Sequence, residues 1–260
     1  MILSDRKKLI NMNAIGEVAV NVGIKKAELP ALNQFILGIL AGAFIAFGSQ
    51  VANLVGHAIT NATIAKFIGG LIFPTGLILV VLAGAELFTG NCLMIIALLE
   101  RKIKIFQLLR AWLIVYLGNL LGGVLIAFLI SKSGQFNNEL LKEFTIKVAT
   151  NKISLTFSNA FILGVLCNWL VCLAVWMSFG AKDTTGKILA IFFPIWLFVA
   201  SGFEHSVANM YYIPAGIFAG GANLTWSAMF IKNLLPVTLG NIVGGAGFVG
   251  FIYWFTGREK

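Results

Sequence analysis

The sequence predicts an all-α polytopic membrane protein with six transmembrane helices, arranged as an inverted 3+3 repeat in which the second and fifth helices are broken. Three observations lead there: the composition, the spacing of charge and an ordered internal duplication. Of 260 residues, 59% are hydrophobic and 11% charged, with a mean hydropathy of +0.93. Soluble chains carry about 25% charged residues, so most of this chain must have lipid as its solvent. A spanning helix takes ~20 mostly apolar residues, which gives room for about six to eight helices and short loops. A separate soluble domain would leave a polar block of ~100 residues, and none exists.

The first 30 residues are mixed and polar, with Arg6, Lys7, Lys8, Lys25 and Lys26. They lack an apolar stretch ending in a small-residue cleavage site, so no cleaved signal peptide is expected. Within them, Leu9, Ile10, Met12, Ile15, Val18, Ala19 and Val22 fall near helical spacing. That pattern predicts an amphipathic helix on the membrane surface over 9–22. Beyond it, 29–65 is free of charge, as are 111–131, 153–181 and 233–257. Segment 67–99 contains only Glu86, and 188–231 only Glu204 and His205. Six spans follow, at about 33–55, 68–98, 106–130, 156–179, 188–218 and 233–256. The second and fifth are too long for one ordinary spanning helix.

An even number of spans puts both termini on one side. With the termini inside, thirteen of the 19 Lys and Arg lie in inner segments and six outside, which selects cytoplasmic termini and a cell-membrane location. The same asymmetry accounts for most of the +9 net charge, and nucleic-acid binding falls away as its explanation. Cys92, Cys167 and Cys172 all sit in apolar runs, which argues against a disulfide framework and against a zinc site. No cofactor or metal is expected.

The chain repeats itself in order. Leu37-Gly-Ile-Leu-Ala-Gly42 is echoed by Leu163-Gly-Val-Leu-Cys-Asn168. Gly84-Ala-Glu86-Leu-Phe-Thr-Gly-Asn91 returns as Gly202-Phe-Glu204-His-Ser-Val-Ala-Asn209, and Leu117-Gly-Asn-Leu-Leu-Gly-Gly123 as Leu239-Gly-Asn-Ile-Val-Gly-Gly245. The chain is thus one membrane domain, with an N-terminal segment (1–30), a first repeat (31–131) and a second (153–257). Three spans per half is an odd number, so the halves run oppositely through the bilayer, with the working site at mid-membrane where matching helices break. The Gly-Asn-x-x-Gly segments and Gly38-x-x-x-Gly42 read as close helix packing.

Glu86 and Glu204 are the acids inside spans, and a charge there needs a reason. Breaks at about 88–91 and 206–209 supply one: the two carboxylates would accept hydrogen bonds from freed backbone N–H groups, with a proton relay as the alternative role. The following half-helices, starting near Cys92 and Met210, would aim two positive dipole ends at the midplane and favour an anion. His205 lies beside that point and can donate a hydrogen bond to an anion or lend it a proton. Thr89 offers a hydroxyl from the other half. Leu87, Phe88, Phe198, Phe73 and Leu77 would form dry collars around this small polar centre.

These residues resemble the formate/nitrite transporter family. The resemblance rests on Val81-Leu-Ala-Gly-Ala-Glu-Leu-Phe-Thr-Gly90, Gly202-Phe-Glu-His-Ser-Val-Ala-Asn-Met210, Cys167-Asn168 and Leu239-Gly-Asn-Ile-Val-Gly-Gly245, and it covers essentially the whole chain. It implies an aquaporin-like fold, a homopentamer with one pore per protomer, and passage of small monovalent anions. It implies His205, Thr89 and Asn168 at the pore centre. It also implies one collar of Leu87 with Phe198, an opposite collar of Phe73, Leu77 and Val207, and Lys152 drawing anions to the outer mouth. One departure is Ala111, where the family has a polar residue before the tryptophan of the third helix. Among the formate, nitrite and hydrosulfide branches, the wording of 88–94 is most similar to the hydrosulfide branch.

Two other readings share the sequence. A proton-coupled formate/nitrite symporter would use the same pore. A membrane-embedded serine hydrolase would need a nucleophile in reach of a histidine, and Ser206, adjoining His205, has poor geometry for it. Paired Asn-Pro-Ala boxes, which a water channel would carry at its two breaks, are absent.

Overall fold

Apolar runs this long have no favourable arrangement in lipid except the helix, which satisfies every backbone polar group internally. The computed structural model describes residues 12–257, so Leu9 and Ile10 lie outside the described residues. The described chain is all-helical: α1 (Met12–Glu28), α2 (Ala31–Gly56), α3 (Ala62–Ala83), α4 (Phe88–Leu99), α5 (Ile105–Lys132), α6 (Glu139–Ile153), α7 (Phe157–Gly180), α8 (Thr184–Ala200), α9 (Ser206–Phe218) and α10 (Trp226–Thr256). Helices α2, α3, α5, α7 and α10 are long and apolar enough to cross a membrane. The second span is completed by α4, and the fifth is assembled from α8 and α9. The expected six spans are therefore all present, two of them broken.

Both described chain ends lie at one end of the bundle, here called the terminal end. Gly257 approaches Asn13, and the Trp254 indole donates to Glu100 at 2.6 Å. Helix α6 packs at the opposite, far end, where Phe144 meets Gly56 and Ala149 meets Gly216. Sequence 132–152 reads as a loop because its hydropathy is low, yet it folds as α6. Asn138 caps it, accepting from the Leu140 and Leu141 amides at 3.1 and 3.3 Å, and Leu141, Thr145, Ala149 and Ile153 form its buried stripe. Helix α1 buries Ala19, Gly23 and Ala27 with the same spacing. The repeat thus includes α1 and α6 and is wider than 31–131 and 153–257.

Small residues hold the spans together in mirrored pairs. A Cβ at Gly122 would run into the Ile39 carbonyl of α2, and one at Gly244 into the Val165 carbonyl of α7. Helices α2 with α5, and α7 with α10, therefore approach backbone to backbone, as the Gly-x-x-x-Gly spacing leads one to expect.

Candidate functional site

Each broken span ends its first half at a glycine in the left-handed region, Gly84 at φ 81° and Gly202 at φ 72°. Ala85 N–H then returns to the Val80 carbonyl at 2.9 Å, and Phe203 N–H to the Phe198 carbonyl at 3.1 Å, which closes both helix ends. The chain crosses to the first spanning helix of its own half, where Glu86 N–H bonds Leu37 O and Glu204 N–H bonds Leu163 O, both at 3.2 Å. The second half-helices start at Phe88 and Ser206. This corrects the expected breaks: the interruptions fall at 84–87 and 201–205, one turn earlier, because a glycine at positive φ ends a helix where it stands.

The first amide of each second half is taken by an asparagine, not by an acid. Asn119 Oδ1 accepts from Phe88 N–H at 2.9 Å, while its Nδ2 donates to Gly38 O and Glu86 O at 2.8 and 2.9 Å. Asn241 does the same opposite: it accepts from Ser206 N–H at 2.9 Å and donates to Gly164 O and Glu204 O at 2.8 and 3.0 Å. Read from sequence as packing spacers, the two Gly-Asn segments are also the clamps of the breaks. The expected role of Glu86 and Glu204 as acceptors of freed N–H groups is thereby overturned.

Their carboxylates instead meet lysine and asparagine side chains. Lys26 Nζ lies 2.8 Å from both Glu86 oxygens and 2.8 Å from Asn91 Oδ1, and Asn91 Nδ2 donates to Glu86 at 2.8 Å. Lys152 Nζ lies 2.9 Å from Glu204 Oε1, and Asn209 Nδ2 donates to Glu204 Oε2 at 2.6 Å. Asn233 extends the second set, bonding Asn209 Nδ2 at 2.7 Å and Lys152 O at 2.9 Å. Ala111 stands at the matching place in the first half, eight residues before Asn119 as Asn233 is before Asn241. The departure noted at Ala111 is therefore a missing fourth member of the Lys26 set. Beside it, Trp112 Nε1 donates to Asn91 O at 2.9 Å.

His205 is the residue capping α9. Its Nδ1 accepts from Ala208 N–H at 3.0 Å, and its Nε2 lies 2.9 Å from Thr89 Oγ1. Accepting at Nδ1 places the hydrogen on Nε2, so the imidazole donates to the threonine, and the threonine hydroxyl hydrogen is free to point elsewhere. His205 and Thr89 are both buried, and their bond joins the two halves of the molecule at the start of α4 and α9. Asn168 donates to Thr89 O at 3.2 Å and to Asn241 O at 2.6 Å. It braces the backbone under the threonine.

Two cavities approach this centre from opposite ends. The far-end cavity, about 500 Å³, is lined by Asn53, Lys66, Phe73, Lys152, Phe198 and His205 among others. The terminal-end cavity, about 220 Å³, is lined by Lys26, Leu77, Val80, Glu86, Leu87 and Val175 among others. The apolar residues group differently from the expected collars. Phe73 pairs edge-to-face with Phe198, with ring centroids 5.6 Å apart, on the far side, while Leu77 and Leu87 share the near side. Phe198 also lies against the His205 ring, at 5.9 Å between centroids. Antiparallel halves explain the regrouping: the end of α8 occupies, on the far side, the place that Val80 at the end of α3 occupies on the near side. Phe88 turns away to Trp112 and Tyr116, and Val207 is fully buried and lines neither cavity.

Lys26, Asn91, Asn119, Asn209, Asn233 and Asn241 were not singled out from sequence as site residues. Five of them were visible as repeat-matched positions, since Asn91 mirrors Asn209, Asn119 mirrors Asn241 and Lys26 precedes Gly38 by the interval that separates Lys152 from Gly164.

A multi-pass bundle of inverted halves, with two interrupted helices meeting at a buried histidine between opposed cavities, defines a membrane transport protein. Comparison with known proteins identifies its kind. A sequence model described as formate/nitrite transporter matches residues 13–255, and the chain belongs to that family. It is 46% identical over 250 residues to an uncharacterized transporter, YrhG, of Bacillus subtilis (strain 168), covering 95% of this chain and 93% of that one. It is 45% identical over 251 residues to a probable formate transporter of Methanothermobacter thermautotrophicus, covering 89% and 91%. A solved pentameric formate channel with formate bound superposes with a TM-score of 0.78 at 37% identity, covering 87% of this chain and 97% of that one. The chain is a transport protein and not an enzyme, as these relatives are.

Proposed function

We propose that the chain is a channel for a small monovalent anion, formate in preference to hydrosulfide or nitrite. Its pore runs within each protomer of a homopentamer, from the far-end cavity past His205 to the terminal-end cavity, with both termini cytoplasmic. Formate is preferred over the hydrosulfide expected from 88–94 because the relatives named above by substrate are named for formate, and the family for formate and nitrite. The pentamer is that of the superposed formate channel.

The observation that carries the reading is the 2.9 Å His205–Thr89 contact between the starts of two half-helices. Each helix start contributes roughly half a positive charge, and the two converge where the apolar Phe73–Phe198 and Leu77–Leu87 groups have stripped water from an entering ion. The threonine hydroxyl, held from behind by the histidine, donates to the anion. A channel is favoured over proton-coupled symport by the Ala208 N–H bond. A proton added at Nδ1 would have to displace that cap.

Flux through the purified protein in liposomes, compared for formate, nitrite and hydrosulfide at two pH values, tests the reading. His205→Asn replaces the imidazole with a shorter amide that cannot both cap α9 and reach Thr89, and it is expected to cut formate flux about fivefold, the effect of one lost neutral hydrogen bond of about 1 kcal/mol. Unchanged selectivity and unchanged pH dependence in that variant would defeat it.

A further inference from the structure

The far-end cavity is lined by polar groups that the pore centre does not use, Asn53 and Lys66 among them. Lys152, which sequence places at the mouth as the attracting cation, is already committed: Nζ is 2.9 Å from Glu204 and 5.0 Å from the Tyr212 ring centroid. Lys66 lines the same cavity, and no carboxylate lies within ion-pair distance of it among the described residues. Its ammonium is held over the second break, where a Cβ placed on Gly202 would stand 3.2 Å from Nζ. Asn53, on the last turns of α2, is 3% exposed and also lines the cavity, and its Nδ2 is buried with no hydrogen-bond partner. Buried amides without partners are rare in folded proteins, and a bound ion that completes the bonding is one way such a group is accounted for. The terminal torsion of asparagine is soft, so its NH2 group can reorient to meet an ion in the chamber.

We propose that Asn53 and Lys66 form a holding site for a small carboxylate in the far-end cavity, ahead of the Phe73–Phe198 pair. Lys66 supplies the charge and Asn53 a directional donor. The site recognises a compact ion with one negative charge and adjacent acceptor oxygens. It raises the local concentration of that ion above the apolar constriction. The proposal rests on the anion-channel reading and adds to it a recognition step that neither His205 nor Lys152 performs.

The test measures initial formate uptake against concentration in liposomes of the full chain, with Asn53→Leu, Lys66→Met and the double variant. Asn53→Leu is expected to raise the half-saturating formate concentration roughly tenfold, the effect of one charge-assisted hydrogen bond. Its thermal midpoint in detergent should hold or rise, because an unpartnered buried amide is lost. Lys66→Met, at an exposed position, should also raise the half-saturating concentration. The double variant should fall short of the product of the two single effects, because both groups act on one ion. Wild-type uptake with wild-type half-saturation in both single variants overturns the holding site alone. Additive effects in the double variant also overturn it, since the two residues would then act separately. Absence of formate uptake by the wild-type protein overturns the channel reading, and the site with it.

Discussion

At the scale of single residues, the buried acids decide most. Glu204 is 6% exposed and Glu86 is 7% exposed, so a charge on either costs heavily unless a partner lies close by. Each has its lysine from a surface helix and its asparagine from the half-helix that follows. Removing one member of such a pair leaves a buried charge unbalanced, at a cost of about 3–5 kcal/mol. Lys152→Met should therefore lower the thermal midpoint of the detergent-solubilised protein sharply. Lys152→Met with Glu204→Gln should recover most of the loss, because neither charge then remains and Asn209 keeps an amide partner. Equal midpoints for the single and double variants would show that the ion pair does not brace the second break. The paired state also revises what Lys152 does at the mouth. Its field is largely cancelled within 3 Å, and long-range attraction passes to cations such as Lys66.

At the scale of elements, the broken spans are built by a division of labour between two residue types. Glycine at positive φ ends each first half, and a buried asparagine on another helix takes the first amide of the second half. Each asparagine makes three bonds, so Asn241→Ala leaves Ser206 N–H and Glu204 O without their side-chain partner inside the bundle and takes a second donor from Gly164 O. At about 1 kcal/mol per net bond, the loss is about 3 kcal/mol. Asn241→Asp keeps the acceptor for Ser206 N–H and loses both donors, so it should retain less stability than wild type. Thermal unfolding of both variants checks this, and a wild-type midpoint in Asn241→Ala would remove the clamp from the account. The existence of the breaks was legible in the sequence, because an acid in a Gly- and Asn-containing stretch of a long apolar run is poor helix material. Their position was not. Phe88-Thr-Gly-Asn91 looks like a helix breaker by composition, yet the conformation of Gly84 fixes the end one turn earlier. Likewise the lysine-rich 132–152 gave no apolar run, and only the spacing of Leu141, Thr145, Ala149 and Ile153 carries the signal for α6.

At the scale of the whole molecule, the inverted repeat makes one packing problem occur twice and predicts that it has one answer. In lipid, helices gain little by burying apolar surface against each other, so close backbone approach at small residues has to supply the association. Gly122 of α5 rests on Ile39 O of α2, and Gly244 of α10 rests on Val165 O of α7. A methyl group at either place meets backbone, which cannot rotate away, so the two helices must separate. Gly247 lies one turn further along α10, where an added Cβ meets nothing within 4 Å. Replacing it with alanine removes only the entropic cost of glycine in a helix, about 0.5–1 kcal/mol. The expected order of thermal midpoints in detergent is therefore Gly247→Ala at or above wild type, with Gly122→Ala and Gly244→Ala well below it by similar amounts. Overpacking of this kind typically costs about 1–3 kcal/mol. Similar losses at 122 and 244 tie the two halves to a common geometry. A large loss at one position and none at the other would show that only one half relies on the glycine contact, and that the repeat visible in sequence does not extend to how the spans are held together.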